Sequence, residues 1–212
     1  MTSLSAYLAN KILANYLGSV PFAGPNVLYL GLSAGWASGA PTGEPSGNGY
    51  TRIPVVVASA TCTFTNSATT CTVAGGTTTY PVGTCLVFTT TGSLPSNITA
   101  ATPYYVVGGS SSTITVATAP GGTAITFASA GSNCSVNTIF GTAVSGQIQN
   151  AVALTFPADA TANWGAMATF FLSDAPTGGN YWFNGTTSGS TTINVGQQPY
   201  IAATTLTIGP MA

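Results

Sequence analysis

Residues 61–73 read Thr-Cys-Thr-Phe-Thr-Asn-Ser-Ala-Thr-Thr-Cys-Thr-Val. On both sides of Asn66-Ser67, threonine alternates with a cysteine, phenylalanine or valine. A period of two residues is typical of a β-strand with one face buried, and Asn and Ser favour turns. The stretch therefore predicts a β-hairpin, and it indicates an all-β structure for the residues around it.

The same pattern continues through residues 59–136, a region with all four cysteines and none of the charged residues. Gly and Pro-Gly signals separate short alternating runs. Strands are predicted at 61–65, 69–73, 84–89, 103–107, 113–117 and 124–127. Regularly spaced short strands are typical of a small all-β module. We therefore predict an inserted module over residues 59–136.

The two ends of the chain, residues 1–58 and 137–212, are predicted to form one discontinuous β domain. Strands are expected at 27–32, 50–57, 148–156, 167–174, 181–186, 191–195 and 203–208. The chain is thus predicted to be mainly β, with a β-sandwich or jelly-roll-like domain, a short N-terminal helix and an inserted all-β module.

The predicted helix covers residues 3–17. Its apolar side chains recur every three or four residues and form one stripe. They are Leu4, Tyr7, Leu8, Ile12 and Tyr16. Ser3 or Ser5 is expected to cap the start, and Gly18 is expected to end the helix in a left-handed conformation. The stripe needs a partner, which is either the β domain of the same chain or a neighbouring subunit.

Charged side chains are almost missing. Among 212 residues only Lys11, Glu44, Arg52, Asp159 and Asp174 carry a formal charge, and there is no histidine. Acid–base catalysis, metal binding and phosphate recognition depend on such groups. We therefore expect no enzymatic activity, no cofactor and no nucleic-acid partner. The aspartates are expected in turns or caps. Arg52 is expected to pair with Glu44 or an aspartate, or to reach across a subunit contact.

The same composition favours association. The net charge is −1, and near-zero charge promotes contact between copies. Charged residues also protect exposed strand edges, so the edges of this chain are expected to be paired or covered. No apolar run approaches the roughly 18 residues of a membrane-spanning helix, so no membrane partner is expected.

The cysteines Cys62, Cys71, Cys85 and Cys134 are widely spaced, which favours disulfides over a zinc site. Symmetry about Asn66-Ser67 would place Cys62 opposite Cys71. The first choice of pairing is therefore Cys62–Cys71 with Cys85–Cys134, and the rival bond is Cys62–Cys134. Disulfides would imply an oxidising final environment, whereas buried free thiols are the alternative.

Subunit contacts are predicted from the helix stripe and from two tryptophans. The six candidate interface residues are Leu4, Leu8, Ile12, Tyr16, Trp164 and Trp182. Aromatic side chains are common in cores and interfaces. A sugar-binding platform that includes Trp36 is the less favoured interpretation.

Several segments, taken in this order, resemble a family of small tailed-phage virion proteins, usually described as tail fibre proteins. In residues 1–57 and 147–212 these segments are LANKILANYLG (8–18), VLYLGLS (27–33), GNGYTRIPV (47–55), ALTFPADATANWG (153–165), FFLSDAPTGGN (170–180) and INVGQQPYI (193–201). Some proteins of this size and character are capsid cement or decoration proteins. The insert is similar to a β module of phage surface proteins, through FTTTGSLP (88–95), TPYYVV (102–107) and APGGTAI (119–125).

The resemblance implies a non-enzymatic structural protein on the exposed surface of a phage virion. Capsid cement or decoration is the favoured interpretation, with contacts to further copies (a homo-oligomer, a trimer by preference) and to other virion proteins such as the major capsid protein. A tail fibre or a receptor- or glycan-binding adhesin is the alternative. A filament or surface-layer subunit, with strand edges paired between copies, is the third hypothesis.

Overall fold

The computed structural model describes residues 4–75, 80–110, 112–156 and 160–209, apart from the side chains of residues 190 and 191. Strands make up 44% of the described residues and helix 6%, so the predicted mainly β class with one short helix is confirmed. Within the described ranges no helix has the length and apolarity to cross a membrane.

The helix and strands are numbered along the chain. They are α1 (Ala6–Tyr16), β1 (Val27–Ser33), β2 (Gly35–Ala37), β3 (Ala40–Thr42), β4 (Ile53–Val56), β5 (Ala60–Phe64), β6 (Cys71–Val73), β7 (Cys85–Ser93), β8 (Tyr104–Ser110), β9 (Thr113–Ala117), β10 (Ser132–Asn137), β11 (Ile148–Gln149), β12 (Leu154–Thr155), β13 (Gly165–Ser173), β14 (Tyr181–Ile193), β15 (Tyr200–Ile201) and β16 (Thr207–Ile208).

The strands of the insert close into a barrel. Their order is β10-β5-β6-β9-β8-β7, and β10 pairs with β7 as well as with β5. A closed sheet has no free edge, so it needs no charged side chains to prevent pairing with other chains. This closure explains how an uncharged stretch of threonine, serine and valine forms a stable module.

The barrel is filled by apolar side chains from alternate positions of its strands. Phe64 packs edge-to-face against Phe88 and Phe127, with ring centroids 4.9 and 4.6 Å apart. Such aromatic pairs contribute about 0.5–1.5 kcal/mol beyond the area that they bury. We refer to this core as the barrel core, and its members include Val73, Leu86, Val106, Ile114 and Val136.

A second core lies under an antiparallel sheet in the order β4-β1-β13-β14. Leu30 and Leu32 of β1 lie opposite Leu172 and Phe170 of β13. The short ribbons β11–β16 and β12–β15 contribute to the same core through Leu154, Ile201 and Ile208, and Leu206, just before β16, also belongs to it. We refer to it as the terminal core, because most of its residues come from the two ends of the chain.

Strand β7 separates the two cores. Cys85 and Val87 belong to the terminal core, whereas Leu86 and Phe88 belong to the barrel core. Successive side chains of a strand point to opposite faces, so one strand lines two interiors. The predicted division into an inserted module and a discontinuous domain stays a prediction.

The helix is shorter than predicted, and its end differs. Ser5 caps its start, since its Oγ accepts a hydrogen bond from the Leu8 N–H at 3.1 Å. Ser19, with a φ of 53°, is the left-handed residue that follows the helix, so the assignment of Gly18 was wrong. The alternative cap, Ser3, lies outside the described residues.

One predicted strand is absent, and four observed strands, β2, β3, β10 and β15, were not predicted. Residues 124–127 form no strand, because their backbone bonds only in places, from the Ile125 N–H to Val116 O (2.9 Å) and from the Phe127 N–H to Ala68 O (2.8 Å). Ser132–Asn137, which was not predicted, is the strand that closes the barrel.

Candidate assembly surface

An apolar stripe is exposed on the outer side of the N-terminal helix and just beyond its end. Leu13 and Val20 are each 55% exposed, and Tyr16 and Leu17 are each 82% exposed. The spacing of Leu13, Tyr16 and Leu17 places their side chains on one helical face, and Val20 lies just beyond the end of the helix. We call these four residues the outer helix stripe. Other large apolar side chains that are exposed lie apart along the chain: Val82, Val144, Val195 and Tyr200.

The backbone holds Val20 close to the end of the helix. Its N–H donates to Ala14 O at 3.0 Å, and its carbonyl accepts from Asn15 Nδ2 at 3.1 Å. The chain therefore folds back where the helix ends, and the exposed Val20 stays next to the last helical turn.

The inner side of the same helix packs against the terminal core. Leu8 is buried, and Leu4 and Ile12 are partly buried against it. Tyr7 and Phe22 lie against the ring of Trp182, with centroids 5.8 and 5.4 Å away. The helix is thus apolar on two sides, and only its inner side is covered by the chain itself.

The structure places most of the six candidate interface residues inside the chain. Leu8, Trp164 and Trp182 are buried in the terminal core, and Leu4 and Ile12 pack against it. Of the six, only Tyr16 belongs to the exposed stripe. The exposed Leu13 and Leu17 were not predicted as surface residues, although Leu13 lies three residues before Tyr16 and four before Leu17, a spacing that indicates a second apolar face.

Trp164 orients the loop that precedes β4. Its Nε1–H donates to Asn48 O at 2.9 Å, and its ring lies edge-on to Tyr50 with centroids 5.1 Å apart. Tyr50 in turn stacks near Phe156, 6.2 Å away. These contacts make Trp164 a buried support of the loop.

The predicted pairing of Arg52 with Glu44 is confirmed. Arg52 Nε donates to Glu44 Oε1 at 2.7 Å, and Nη2 donates to Oε2 at 2.9 Å. Nη1 donates to Ser173 Oγ and to the carbonyls of Ala175 and Gly178, at 2.7–2.9 Å. The guanidinium thus connects the loop before β4 with the turn between β13 and β14.

The pKa of Arg52 and the pKa of Tyr50 are both raised, so both groups keep their usual protonated forms. Burial acts to lower the pKa of Arg52, but the hydrogen bond and the charge of Glu44 outweigh burial and raise it. Burial and the adjacent Glu44 carboxylate raise the pKa of Tyr50, whose hydroxyl donates to Glu44 at 2.9 Å. The cluster is a structural tie, since its groups already bind one another.

Asp174 closes the turn that Arg52 contacts. Its Oδ1 accepts from the Asn180 N–H and its Oδ2 from Asn180 Nδ2, each at 2.8 Å. Burial acts to raise the pKa of Asp174, but these hydrogen bonds lower it below its usual value. The expected turn role is therefore observed for Asp174, whereas Asp159 lies outside the described residues.

All four cysteines are buried and free, and their register differs from the predicted one. Cys71 lies opposite Phe64, and Cys62 lies opposite Val73 and, on its other side, Cys134. The placement of Cys62 directly across from Cys71 was therefore wrong.

The predicted bond Cys85–Cys134 is also wrong in geometry. Cys85 faces the terminal core and Cys134 the barrel core. Burial raises the pKa of Cys85 to about 12, as expected for a thiol surrounded by apolar side chains. In the part of the chain that the structure describes, no cluster of three or more Cys, Asp or Glu is placed to hold a metal ion.

A cavity of about 440 Å³ lies between residues 141–151 and Thr204. Its lining consists of glycine, alanine, valine, hydroxyl and carboxamide side chains. The buried amide among them, Asn150, bonds to the carbonyls of Val152 and Ala202 and accepts from the Leu206 N–H, so it supports the fold.

The architecture is that of a mainly β protein with an exposed apolar helix face. Comparison with protein families is more specific, because the family model described as "Podophage GP4 fiber I protein gp80" matches residues 3–106 and 101–209. The chain therefore belongs to this family of phage fibre proteins. The resemblance to phage tail fibre proteins is thereby confirmed, and the match also covers residues of the insert. No curated protein matches the chain.

Proposed function

We propose that this protein is a non-enzymatic structural subunit of a phage tail fibre, located on the surface of the virion. The family match over nearly the whole chain is the observation that carries the proposal. The finer assignment to a capsid cement or decoration role has no such support, so the fibre is the preferred location.

The chemistry of the described residues supports a structural role. The buried cation, Arg52, is held by Glu44 and by backbone carbonyls, and Asp174 is held by Asn180. Lys11 lies on the helix surface, 5.5 Å from the centre of the Tyr7 ring. Groups bound in this way stabilise turns and loops.

We further propose that copies of the chain associate through the outer helix stripe. A helix that is apolar on both sides is typical of a buried helix. A second copy is the expected occupant because the net charge of −1 causes little repulsion between copies, and the stripe itself has no charged side chain. Trimers are the favoured state, as in the prediction from sequence.

The location is tested by immunogold labelling of intact virions. Label confined to the tail is expected, and a receptor or glycan at the fibre tip would then be the next partner to search for. Uniform label over the head would favour the cement role, with the major capsid protein as partner. Purified virions without this protein would refute both assignments.

The contact is tested by analytical ultracentrifugation of the Tyr16→Ser, Leu17→Ser double variant. The wild type is expected to sediment as an oligomer and the variant as a monomer. Because both side chains are exposed, the free energy of unfolding of the monomer should change by no more than about 0.5 kcal/mol. Val82→Ser, a loss of an exposed apolar side chain elsewhere, is the matched control. A monomeric wild type would contradict the proposal.

A further inference from the structure

Three of the four thiols lie together in the barrel. Cys62 on β5 and Cys134 on β10 are direct partners in an antiparallel pair, so their side chains point to the same face. Cys71 lies on β6, the neighbour of β5 on its other side. The residue opposite Cys62 there is Val73, and Cys71 is two residues before Val73. Cys62 is therefore the neighbour of both other thiols, and it can form a bond with only one of them at a time.

The register favours Cys134 as the partner. Directly opposite residues of an antiparallel pair have Cα atoms about 4.5–5.5 Å apart, which is within the roughly 4.4–6.8 Å that a disulfide spans. Diagonal neighbours are about 7–8 Å apart, although their side chains can still meet. The thiols of Cys71 and Cys62 do share a hydrogen bond, and this bond, together with burial, raises the pKa of Cys71.

Access to an oxidant also distinguishes the two candidates. Cys134 Sγ lies 3.4 Å from Ser93 O and 3.5 Å from Ser132 O, and both serines are exposed. Cys71 is fully buried and is paired on both sides, with Phe64 and Ile114 opposite it. Cys134 is 3% exposed and Cys71 0%, so a small oxidant would reach Cys134 before Cys71.

We propose that Cys62 and Cys134 form a single disulfide across β5 and β10, while Cys71 and Cys85 stay thiols. This inference does not depend on the proposed function. The bond joins the strand on which the chain enters the barrel to the strand on which it leaves. It would hold the barrel closed once the protein is outside a reducing compartment.

The oxidant is a small-molecule disulfide such as oxidised glutathione. The Cys134 thiolate attacks one of its sulfurs, which forms a mixed disulfide and releases one glutathione thiolate. The Cys62 thiolate then attacks the Cys134 sulfur, which forms the Cys62–Cys134 bond and releases the second glutathione. The two cysteines lose two protons and two electrons, and the glutathione disulfide is reduced to two thiols.

The bond is tested by peptide mapping of the wild-type protein. The reduced protein is treated with oxidised glutathione, alkylated in denaturant and digested with chymotrypsin without reduction. Cleavage after Phe64, Phe88, Phe127 and Phe140 separates Cys62 and Cys134 from each other and from the segment with Cys71 and Cys85. The expected result is one link between the segments of Cys62 and Cys134, with Cys71 and Cys85 alkylated.

Thermal unfolding supplies the second measurement. Closing the long loop from residue 62 to 134 should raise the Tm of the oxidised protein by on the order of 10 °C relative to the reduced protein. Cys134→Ala should abolish this increase, whereas Cys71→Ala and the control Cys85→Ala should retain it. A link from Cys62 to Cys71, any link to Cys85, or four alkylated thiols in the treated wild type would overturn the proposal.

Discussion

The barrel and the terminal β region solve the problem of exposed strand edges in different ways. The barrel pairs its last strand, β10, with both β5 and β7, so its sheet closes on itself. The terminal sheet ends at β14, and other segments cover this strand: Leu4 bridges to Phe183, Ser5 N–H donates to Trp182 O, and Thr187 bridges to Leu206. The closed barrel contains no charged side chain. The terminal region, in contrast, contains the Arg52–Glu44 ion pair.

This difference suggests that the two regions respond separately to damage in their cores. They share β7, whose alternate residues face one interior or the other. The four thiols report on both regions, because Cys85 belongs to the terminal core and the other three belong to the barrel core. Alkylation of the reduced, folded protein can therefore show which region opens.

The largest effect is expected from Phe88→Ala. Phe88 is fully buried in the barrel core, where its ring lies 5.5 Å from that of Tyr104. Its removal leaves a cavity, and such substitutions cost about 3–5 kcal/mol. Chemical denaturation should show this loss, and in the native variant Cys62, Cys71 and Cys134 should be alkylated faster than Cys85.

Phe170→Ala, in the terminal core, is the matched control for Phe88→Ala. Phe170 is also fully buried, so a similar loss is expected, but with Cys85 as the thiol that becomes reactive. If either variant exposes all four thiols at equal rates, the two regions unfold as one unit and the comparison fails.

A smaller effect is expected from Arg52→Ala. The substitution leaves Glu44 without its partner and removes the link to Ser173, Ala175 and Gly178. Breaking a buried pair from one side costs about 3–5 kcal/mol, and because Glu44 is partly exposed we expect about 3 kcal/mol. Urea denaturation measures this loss.

Two variants serve as controls. Glu44→Gln, which retains acceptor and donor groups, should lose less stability, and Lys11→Ala should stay within about 0.5 kcal/mol of the wild type. Equal stability of Arg52→Ala and Lys11→Ala would show that the tie is dispensable.

The sequence predicts the strands and the ion pair better than it predicts which residues lie opposite each other on paired strands. Alternation in residues 61–73 correctly indicates a hairpin, and the scarcity of charge leaves Arg52 few possible partners. The turn of that hairpin, however, is set by tertiary contacts: Ser67 N–H donates to Phe127 O, and Phe127 N–H donates to Ala68 O. Because these bonds involve a segment about 60 residues away in sequence, local symmetry about Asn66-Ser67 gives the wrong partner for Cys62.

The assembly surface shows a similar limit. A stripe of Leu4, Leu8 and Ile12 is evident from spacing alone, but spacing cannot tell which of two apolar helix faces the rest of the chain covers. Trp182 decides this, since Tyr7 and Phe22 pack against its ring on β14. Which of the two apolar faces stays exposed is therefore known only from that packing.

The smallest effect is expected at Asp174, in the exposed turn of the terminal region. Its folded pKa is lowered by the hydrogen bonds from Asn180, against the opposing effect of burial. A depressed carboxyl pKa contributes stability that is present above the unfolded value, about 3.9, and is lost as the pH falls through the folded pKa. Asp174→Asn, whose amide would place a donor against Asn180 Nδ2, should therefore be less stable than the wild type at neutral pH. This difference in stability, followed by urea denaturation between pH 7 and pH 2, should shrink toward zero in acid.

The same variant tests whether the turn and the barrel are coupled. Because the barrel contains no titratable carboxylate, its thiol alkylation rates should be the same in Asp174→Asn and wild type at neutral pH. A faster reaction of Cys62 or Cys134 in the variant would show that the turn and the barrel are coupled.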